Sequence, residues 1–151
     1  MDNIQLGNFI KSLVPEVEIK EGKQYLEVKV PATKLYFLVK QLRESEETWF
    51  DFLFCLTGVD YGQELGVVYH LRSTKHGHTV VLNTRTSDRQ DPQIDSVTDI
   101  WHTANFHERE VFDLLGIRFA NHPDMRRLFL EGSWGYPLRK DFVDDINIVT
   151  K

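Results

Sequence analysis

The sequence predicts an α+β domain of two layers: helices packed on one face of a mixed, mostly antiparallel sheet, followed by an extended C-terminal arm. Two segments near the N-terminus and one in the C-terminal half carry apolar residues at helical spacing. Three central segments are rich in β-branched and aromatic residues and are separated by glycine-containing turns. Strands joined in this way pair antiparallel, and helices around them cover one face of the sheet.

The first part of the chain predicts a helix, a hairpin and a second helix. Residues 3–14 have apolar side chains at helical spacing and are followed by Pro15, a helix stop. Residues 17–30 alternate between apolar and polar side chains on either side of a turn at Glu21-Gly22. Pro31 suits the first turn of a helix over residues 31–47.

The remainder predicts three strands, a loop, a third helix and the arm. The strands lie within residues 49–62, 65–75 and 78–86, and residues 87–96 form a polar loop. Ser96 is predicted to cap a helical region that ends before Gly116. Because no linker divides the chain, we predict one core domain over residues 1–120. Residues 121–151 follow this core and are predicted to form the arm.

Composition excludes several functional classes. The formal net charge of -5 is spread along the chain, which argues against a nucleic-acid-binding surface. Cys55, the one cysteine, is predicted to be buried in a strand and cannot supply a four-thiolate site by itself. No secretory signal or membrane-spanning stretch is expected, so any membrane contact would come through a partner.

Glu108 falls in the middle of the apolar stripe of the third helix. A carboxylate on a packed face is costly unless a cation and hydrogen bonds satisfy it. We therefore predict that an arginine of the arm pairs with Glu108 and anchors the arm; the alternative is a fraying helix end with the side chain in water. Arg109 and Asp113, four residues apart on another face, are predicted to form an ordinary helical ion pair.

Catalytic and metal sites receive little support from the sequence. His102 and His107 are five residues apart, off a common helix face, and the histidines at positions 70, 76 and 78 are predicted to lie in solvent around a hairpin. An acid–base site assembled from Glu108, Arg109, Glu110, Asp113 and His122 remains the minority interpretation, because interleaved carboxylates and arginines more often form structural networks.

The arm has the composition of a docking segment. Trp134, Tyr136, Phe142 and several arginines are residue types that are enriched at protein interfaces. Pro123, Pro137 and the glycines favour an extended path. The alternative is that part of the arm folds back on the sheet of its own domain.

Two stretches, "ANFHEREVFDLLGIRFANHPDMRRLFL" and "GYPLRKDF", closely resemble the signature of the 30-kDa, or C-type, subunit of respiratory complex I, an NADH–quinone oxidoreductase. "LTGVDY", "VVYHLRS" and "SVTDIWHTANF" extend the resemblance upstream to about residue 50. The resemblance implies that two sets of residues match family motifs: first Glu108, Arg109, Glu110, Asp113, Gly116, His122, Pro123, Arg126 and Arg127, and second Gly135, Pro137, Leu138, Arg139, Lys140 and Asp141.

The resemblance also implies a function. A subunit of this family is a small α+β domain of the peripheral arm, on the cytoplasmic side in bacteria, and carries no flavin, cluster or quinone site. FMN, iron–sulfur clusters and quinone are expected in partner subunits, and the C-terminal segment is expected to lie along 49-kDa-type and 20-kDa-type subunits. Two alternatives remain open: the equivalent subunit of a membrane-bound hydrogenase-type complex, and a stand-alone enzyme using Glu108, Arg109, Asp113 and His122.

Overall fold

A computed structural model of the chain describes residues 2–123 together with Tyr136 and Arg139. These residues form helices and strands in an order that confirms the α+β class. The elements are α1 (Asn3–Leu13), β1 (Glu18–Glu21), β2 (Leu26–Lys29), α2 (Ala32–Glu44), β3 (Phe52–Asp60), β4 (Leu65–Arg72), β5 (Thr79–Thr86), β6 (Gln93–Asp95), α3 (Ala104–Leu115) and β7 (Arg118–Ala120).

Local hydrogen bonds and backbone conformation explain where α1 begins and where α3 ends. At the start of α1, the Asp2 carboxylate accepts the N–H of Gln5 at 2.8 Å, and the Gln5 side chain accepts the N–H of Asp2 at 3.1 Å. This reciprocal capping box satisfies two backbone donors that a helix leaves unpaired. α3 ends at Gly116, whose φ of 79° lies in the left-handed region that favours glycine.

The main sheet has five strands in the order β1-β2-β5-β4-β3. β1 pairs with β2, β4 with β5 and β3 with β4, all antiparallel, whereas β2 and β5 run parallel. The prediction of a mixed, mostly antiparallel sheet is therefore confirmed.

One face of this sheet forms the floor of the core. The strand register places Leu26, Leu82, Tyr69 and Gly58 on the same side of their strands. A Cβ atom at Gly7 of α1 would contact Leu26, and one at Gly58 would collide with Leu115 of α3. Helices from both ends of the chain thus pack on one face of the sheet.

The opposite face, which we call the outer face, contains Phe52, Phe54, Cys55, Val68 and His70. Phe52 and Phe54 are 45% and 38% exposed, and their ring centroids lie 5.9 Å apart. Cys55 pairs in register with His70 and is half-buried. The prediction of a buried Cys55 is therefore wrong, because the strand alternation turns its side chain away from the helices.

The structure also contains a second, two-stranded sheet that was not predicted from the sequence. β6 and β7 pair in parallel, with the buried Ile94 opposite the buried Phe119. β6 lies in the stretch predicted to be a loop, since three residues are too few to display strand alternation. The helix predicted to start at Ser96 begins at Ala104, and Thr103, at its N-cap, makes no side-chain capping bond.

Among the described residues, no helix has both the length and the apolar character needed to cross a lipid bilayer.

Gly58 tests the contact between β3 and α3. An added Cβ would lie 2.4 Å from Cδ1 of Leu115 and 2.8 Å from Cγ1 of Val111. We expect Gly58→Ala to lower the free energy of unfolding by about 1–3 kcal/mol, because overpacking displaces α3. The measurement is urea denaturation of the full chain.

Gly7→Ala is the matched control. A Cβ at Gly7 meets its nearest side-chain atom at 3.5 Å, which is ordinary contact. It also removes a glycine from a helix interior, so we expect a stabilisation of up to about 1 kcal/mol. Equal effects of the two substitutions would show that the contact between Gly58 and α3 is not close.

Candidate functional site around Glu108 and Arg139

The Glu108 side chain is fully buried in the middle of α3. Its carboxylate accepts the hydroxyl hydrogen of Ser96 at 2.6 Å on Oε1 and the backbone N–H of Val97 at 2.9 Å on Oε2. These two bonds tie α3 to the segment that follows β6. The burial predicted from helical spacing is confirmed.

His122 also approaches this carboxylate. Its Nε2 lies 3.8 Å from Oε1 of Glu108 and 3.2 Å from the backbone oxygen of Asn105. Because a carbonyl oxygen only accepts, the contact with Asn105 requires a hydrogen on Nε2. The distance to Glu108 is too long for a hydrogen bond, so that interaction is electrostatic and depends on the charge of His122.

Among the described residues, no arginine contacts Glu108, so the predicted arginine partner is not found there. The partners there are a hydroxyl, a backbone N–H and a histidine. Arg126, Arg127 and Lys140 lie outside the described residues. The one described arginine of the predicted arm, Arg139, binds elsewhere on α3.

Burial dominates the electrostatics of Glu108. It raises the pKa of this carboxyl from 4.5 to about 7. The hydrogen bonds from Ser96 and Val97 act in the opposite direction, and the charge of Asp99 adds to the increase. Glu108 is therefore a carboxyl group that changes its protonation near neutral pH.

The Arg139 side chain binds the backbone at the end of α3. Its Nε donates to the backbone oxygen of Leu115 at 2.6 Å, and its Nη1 donates to that of Arg89 at 3.1 Å. The Leu115 oxygen belongs to the last residue of α3, where carbonyl groups lack helical partners and carry partial negative charge. A guanidinium group supplies both a hydrogen-bond donor for this oxygen and a positive charge near it.

The glycine at the end of α3 makes room for this contact. A Cβ at Gly116 would lie 2.7 Å from ring atoms of Tyr136 and 2.9 Å from Nη2 of Arg139. The Tyr136 ring lies 6.1 Å from that of Phe112 and 5.1 Å from the Arg139 guanidinium. Gly116 thus provides both the helix stop and the space that the Tyr136 and Arg139 side chains occupy.

The backbone that accepts from Arg139 is itself fixed by an ion pair. Arg89 donates through both terminal nitrogens to Asp60, at 2.7 and 2.9 Å. The Asp60 side chain, 2% exposed, also accepts the N–H of Gly62. Asp60, at the end of β3, therefore fixes the loop in which the backbone oxygen of Arg89 accepts a hydrogen bond from Arg139.

The remaining predicted residues lie in varied surroundings. Arg109 and Asp113 do not form the predicted ion pair: Asp113 is fully buried, and Nε of Arg109 is buried without a hydrogen-bond partner. Glu110 is half-buried and Pro123 is exposed. The other predicted positions lie outside the described residues: Trp134, Gly135, Pro137, Leu138 and Asp141.

The hairpin histidines contact backbone rather than solvent alone. Nε2 of His76 lies 2.6 Å from the oxygen of Glu46, and Nε2 of His78 lies 2.7 Å from that of Thr48. Burial lowers the pKa of both His70 and His78. Within the described residues, no three or more His, Cys, Asp or Glu side chains are grouped so as to hold a metal ion.

Comparison with known proteins gives the family. Residues 28–145 match the family described as the 30 Kd subunit of the respiratory-chain NADH dehydrogenase. The chain belongs to this family. The C-type subunit of the NADH-quinone oxidoreductase of Moorella thermoacetica is 40% identical over 143 residues, covering 91% of this chain and 95% of that protein.

Two further matches extend the family relationship. The C/D-type subunit of the NADH-quinone oxidoreductase of Phocaeicola vulgatus is 52% identical over 122 residues, which are 80% of this chain but 23% of the relative. The chain thus spans less than a quarter of the C/D relative. A chain of the membrane-bound sulfane sulfur reductase, an archaeal respiratory membrane complex, superposes with a TM-score of 0.81 at 27% identity, over 97% of this chain and 88% of that one.

Sequence reasoning missed Ser96 as the partner of Glu108 and the Asp60–Arg89 ion pair beneath Arg139. Ser96 is predicted as a helix cap, but its hydroxyl is used by Glu108 instead. A buried carboxylate needs hydrogen-bond donors, and a serine next to an apolar residue is one sequence feature that could have indicated such a donor. Asp60 ends an apolar strand, and that position is the available signal for a buried acid.

Arg139→Ala removes the two hydrogen bonds to the Leu115 and Arg89 oxygens. We expect it to lower the free energy of unfolding by about 1–3 kcal/mol, since bonds to charged groups are the stronger class. Arg139→Lys keeps the charge but lacks the planar fork that reaches both oxygens, so its loss is expected to be intermediate.

Arg43→Ala is the control for these arginine variants. The Arg43 guanidinium lies 5.0 Å from the centre of the Trp49 ring, and its loss is expected to cost about 0.5–1 kcal/mol. Urea denaturation measures all three variants. If Arg139→Ala were no more destabilising than Arg43→Ala, Arg139 would not anchor the arm.

Glu108 makes stability depend on pH. The unfolded carboxyl ionises at its ordinary pKa, whereas the folded one keeps its proton to about pH 7. The folded state is therefore favoured at low pH, and this contribution is lost as pH rises from 4.5 through 7, by on the order of 3 kcal/mol.

Glu108→Gln isolates this contribution because it cannot ionise. We expect the difference in unfolding free energy, wild type minus Glu108→Gln, to fall as pH rises from 4.5 to about 7, as measured by urea denaturation. His70 and His78 contribute with the opposite sign, but both proteins contain them, so their effect cancels. A difference that is independent of pH would contradict the raised pKa.

Proposed function

We propose that this chain is a structural subunit of the peripheral arm of a proton-translocating NADH–quinone oxidoreductase. The observation that carries the proposal is the match to the C-type subunit of Moorella thermoacetica over nearly the full length of both chains. The likeness to a chain of an archaeal respiratory membrane complex supports the same class of assembly. The stand-alone enzyme has no such support.

We propose further that the chain itself does not catalyse the reaction. Glu108 and His122, two members of the acid–base site of the minority interpretation, have buried side chains that contact other protein groups. One cysteine cannot ligate a cluster through four thiolates, and Cys55 lies on the outer face of the sheet. FMN, iron–sulfur clusters and quinone would accordingly be bound by partner subunits, through which electrons from NADH reach quinone.

The proposed partners are the 49-kDa-type and 20-kDa-type subunits, which the C-terminal arm would contact. Arg139 and Tyr136 support this function because they hold the arm against α3 at a defined point. The Phocaeicola relative supports a partner of this kind, since its name joins C and D in one protein of which this chain matches 23%. We propose a location on the cytoplasmic side of a bacterial membrane, with membrane contact only through the complex and no nucleic-acid partner.

A native purification tests the proposal. The chain is tagged at its N-terminus in its own cells, membranes are solubilised in a mild detergent, and the purified material is assayed for NADH:quinone and hydrogenase activity. Large co-purifying subunits with NADH:quinone activity would support it. Hydrogenase activity in its place would assign the chain to a hydrogenase-type complex, and recovery of the chain alone from the cytosol would favour a stand-alone protein.

Arg139→Ala is expected to reduce the co-purified NADH:quinone activity about tenfold or more, a loss equivalent to a weakening of about 1.4 kcal/mol in docking. The physical reason is that the arm loses its fixed point on α3. Arg43→Ala serves as the matched arginine control and should retain activity. Circular dichroism of each variant separates failed assembly from failed folding, and full assembly of a folded Arg139→Ala chain would contradict the docking function of the arm.

A further inference from the structure

β1 is an edge strand of the five-stranded sheet. Among the described residues its one strand neighbour is β2, and all four of its residues are exposed. The edge of a sheet carries backbone donors and acceptors that can pair with another strand. β3 forms the other edge, and α3 packs on it at Gly58. The free side of β1 therefore lies at the opposite edge of the sheet from α3.

The hairpin between β1 and β2 determines which backbone groups of β1 face the free side. The N–H of Gly22 donates to the oxygen of Tyr25 at 3.1 Å, and these residues continue the register of Glu21 opposite Leu26. In an antiparallel pair, opposite residues alternate between hydrogen-bonded and non-hydrogen-bonded positions. Ile19 and Glu21 therefore form no backbone bonds to β2, and their N–H and C=O groups point away from the sheet.

The side chains of β1 alternate between charged and apolar. Glu18 and Lys20 lie on the side of the outer face, whereas Ile19, between them, is turned toward the helices. A Cβ at Gly7 of α1 would contact Cδ1 of Ile19 at 3.5 Å, yet Ile19 remains 36% exposed. Ile4 of α1 is 70% exposed and lines a groove of about 270 Å³ together with Gly7 and Ile19. Apolar surface thus lies beside the free backbone groups.

We propose that two copies of this chain associate through β1, as antiparallel strands related by a two-fold axis at Ile19. Ile19 of each copy then exchanges two backbone hydrogen bonds with Ile19 of the other, and their side chains meet over the apolar groove. Glu18 of one copy lies directly opposite Lys20 of the other, and symmetry repeats this pair. The two sheets become one continuous sheet.

The charges of the hairpin favour this register. Within one copy, Lys29 lies 4.0 Å from Glu18, and Glu27 lies opposite Lys20. Association at Ile19 extends these pairs into rows of alternating charge across both hairpins. A two-fold axis at Glu18 or at Lys20 would instead place like charges opposite each other. A lysine on an edge strand ordinarily discourages pairing, but in this register each Lys20 is matched by Glu18 of the second copy.

Sedimentation equilibrium of the full-length chain, from about 1 µM to 1 mM, tests the proposal, because small interfaces associate in that range. We expect the wild type to approach the mass of a dimer. Lys20→Glu and Glu18→Lys are each expected to weaken the dimer about tenfold or more, since each replaces opposite charges by like charges at two symmetric places.

Glu64→Lys is the matched control. It makes the same change of charge at a surface pair with Arg85, 3.8 Å apart, next to β4 rather than β1. We expect it to leave the dimer intact. A wild type that stays monomeric over the whole range would overturn the proposal, and so would equal weakening by Glu64→Lys and Glu18→Lys.

Mixing the Lys20→Glu and Glu18→Lys chains separates the proposed interface from other effects of charge. In a mixed pair, the substituted position 18 of one chain faces the substituted position 20 of the other, so opposite charges meet again at both places. We expect the mixture to form a heterodimer about as stable as the wild-type dimer. Contacts within each chain are unchanged by mixing, so failure to recover the dimer would contradict the register.

Amide hydrogen exchange identifies the strand without any substitution. Raising the concentration of the wild type should slow exchange at Ile19 and Glu21, whose amides face the free side, more than at Lys20, whose amide is bound to β2. A dimer without protection at Ile19 would place the interface elsewhere and overturn the proposal. Protection at Ile19 only within an assembled complex would assign this edge to a strand of a partner subunit and would overturn it equally. The association uses the edge opposite α3, so it is independent of the docking proposed for Arg139.

Discussion

The arrangement of the described C-terminal half follows from one requirement: a carboxylate placed on the packed face of α3 has to be satisfied within the protein. Ser96 and Val97 supply the two donors, and this brings the chain after β6 against α3. β7 pairs with β6, and the residues that follow β7 place His122 near the same carboxylate. An apolar residue at position 108 would need no hydrogen-bond donors and would therefore specify none of these approaches.

The C-terminal end of α3 also carries polar groups that need partners from elsewhere in the chain. The last turn of a helix leaves carbonyl groups unpaired, and the oxygen of Leu115 receives the Arg139 side chain. Gly116 permits this contact in two ways: its backbone adopts a left-handed conformation, and it has no Cβ that would collide with Tyr136. α3 is therefore fixed along its middle by donors to a carboxylate and at its end by a cation, and the position of the cation is the one that the helix dipole favours.

The elements that the sequence predicts well are those whose signals are local. Helical spacing identifies Glu108 as buried, and Gly116 is predicted as a stop because a single residue determines that backbone geometry. The partners of Glu108 and Arg139 could not be predicted, since they depend on how distant segments are brought together. The parallel pairing of β6 and β7, each three residues long, leaves no pattern in the sequence, yet it determines where Ser96 and His122 lie. Likewise, only the register of β3 shows that Cys55 faces outward.

The parallel pairing of β2 with β5 has a kinetic consequence. Between these strands the chain forms α2, β3 and β4, so the pairing of β2 with β5 joins residues that are far apart in the sequence. β3, β4 and β5 pair through local hairpins and need only short loop closures, whereas joining the N-terminal hairpin closes a long one. The topology therefore predicts that the central meander forms first and that the N-terminal hairpin and α1 join it later.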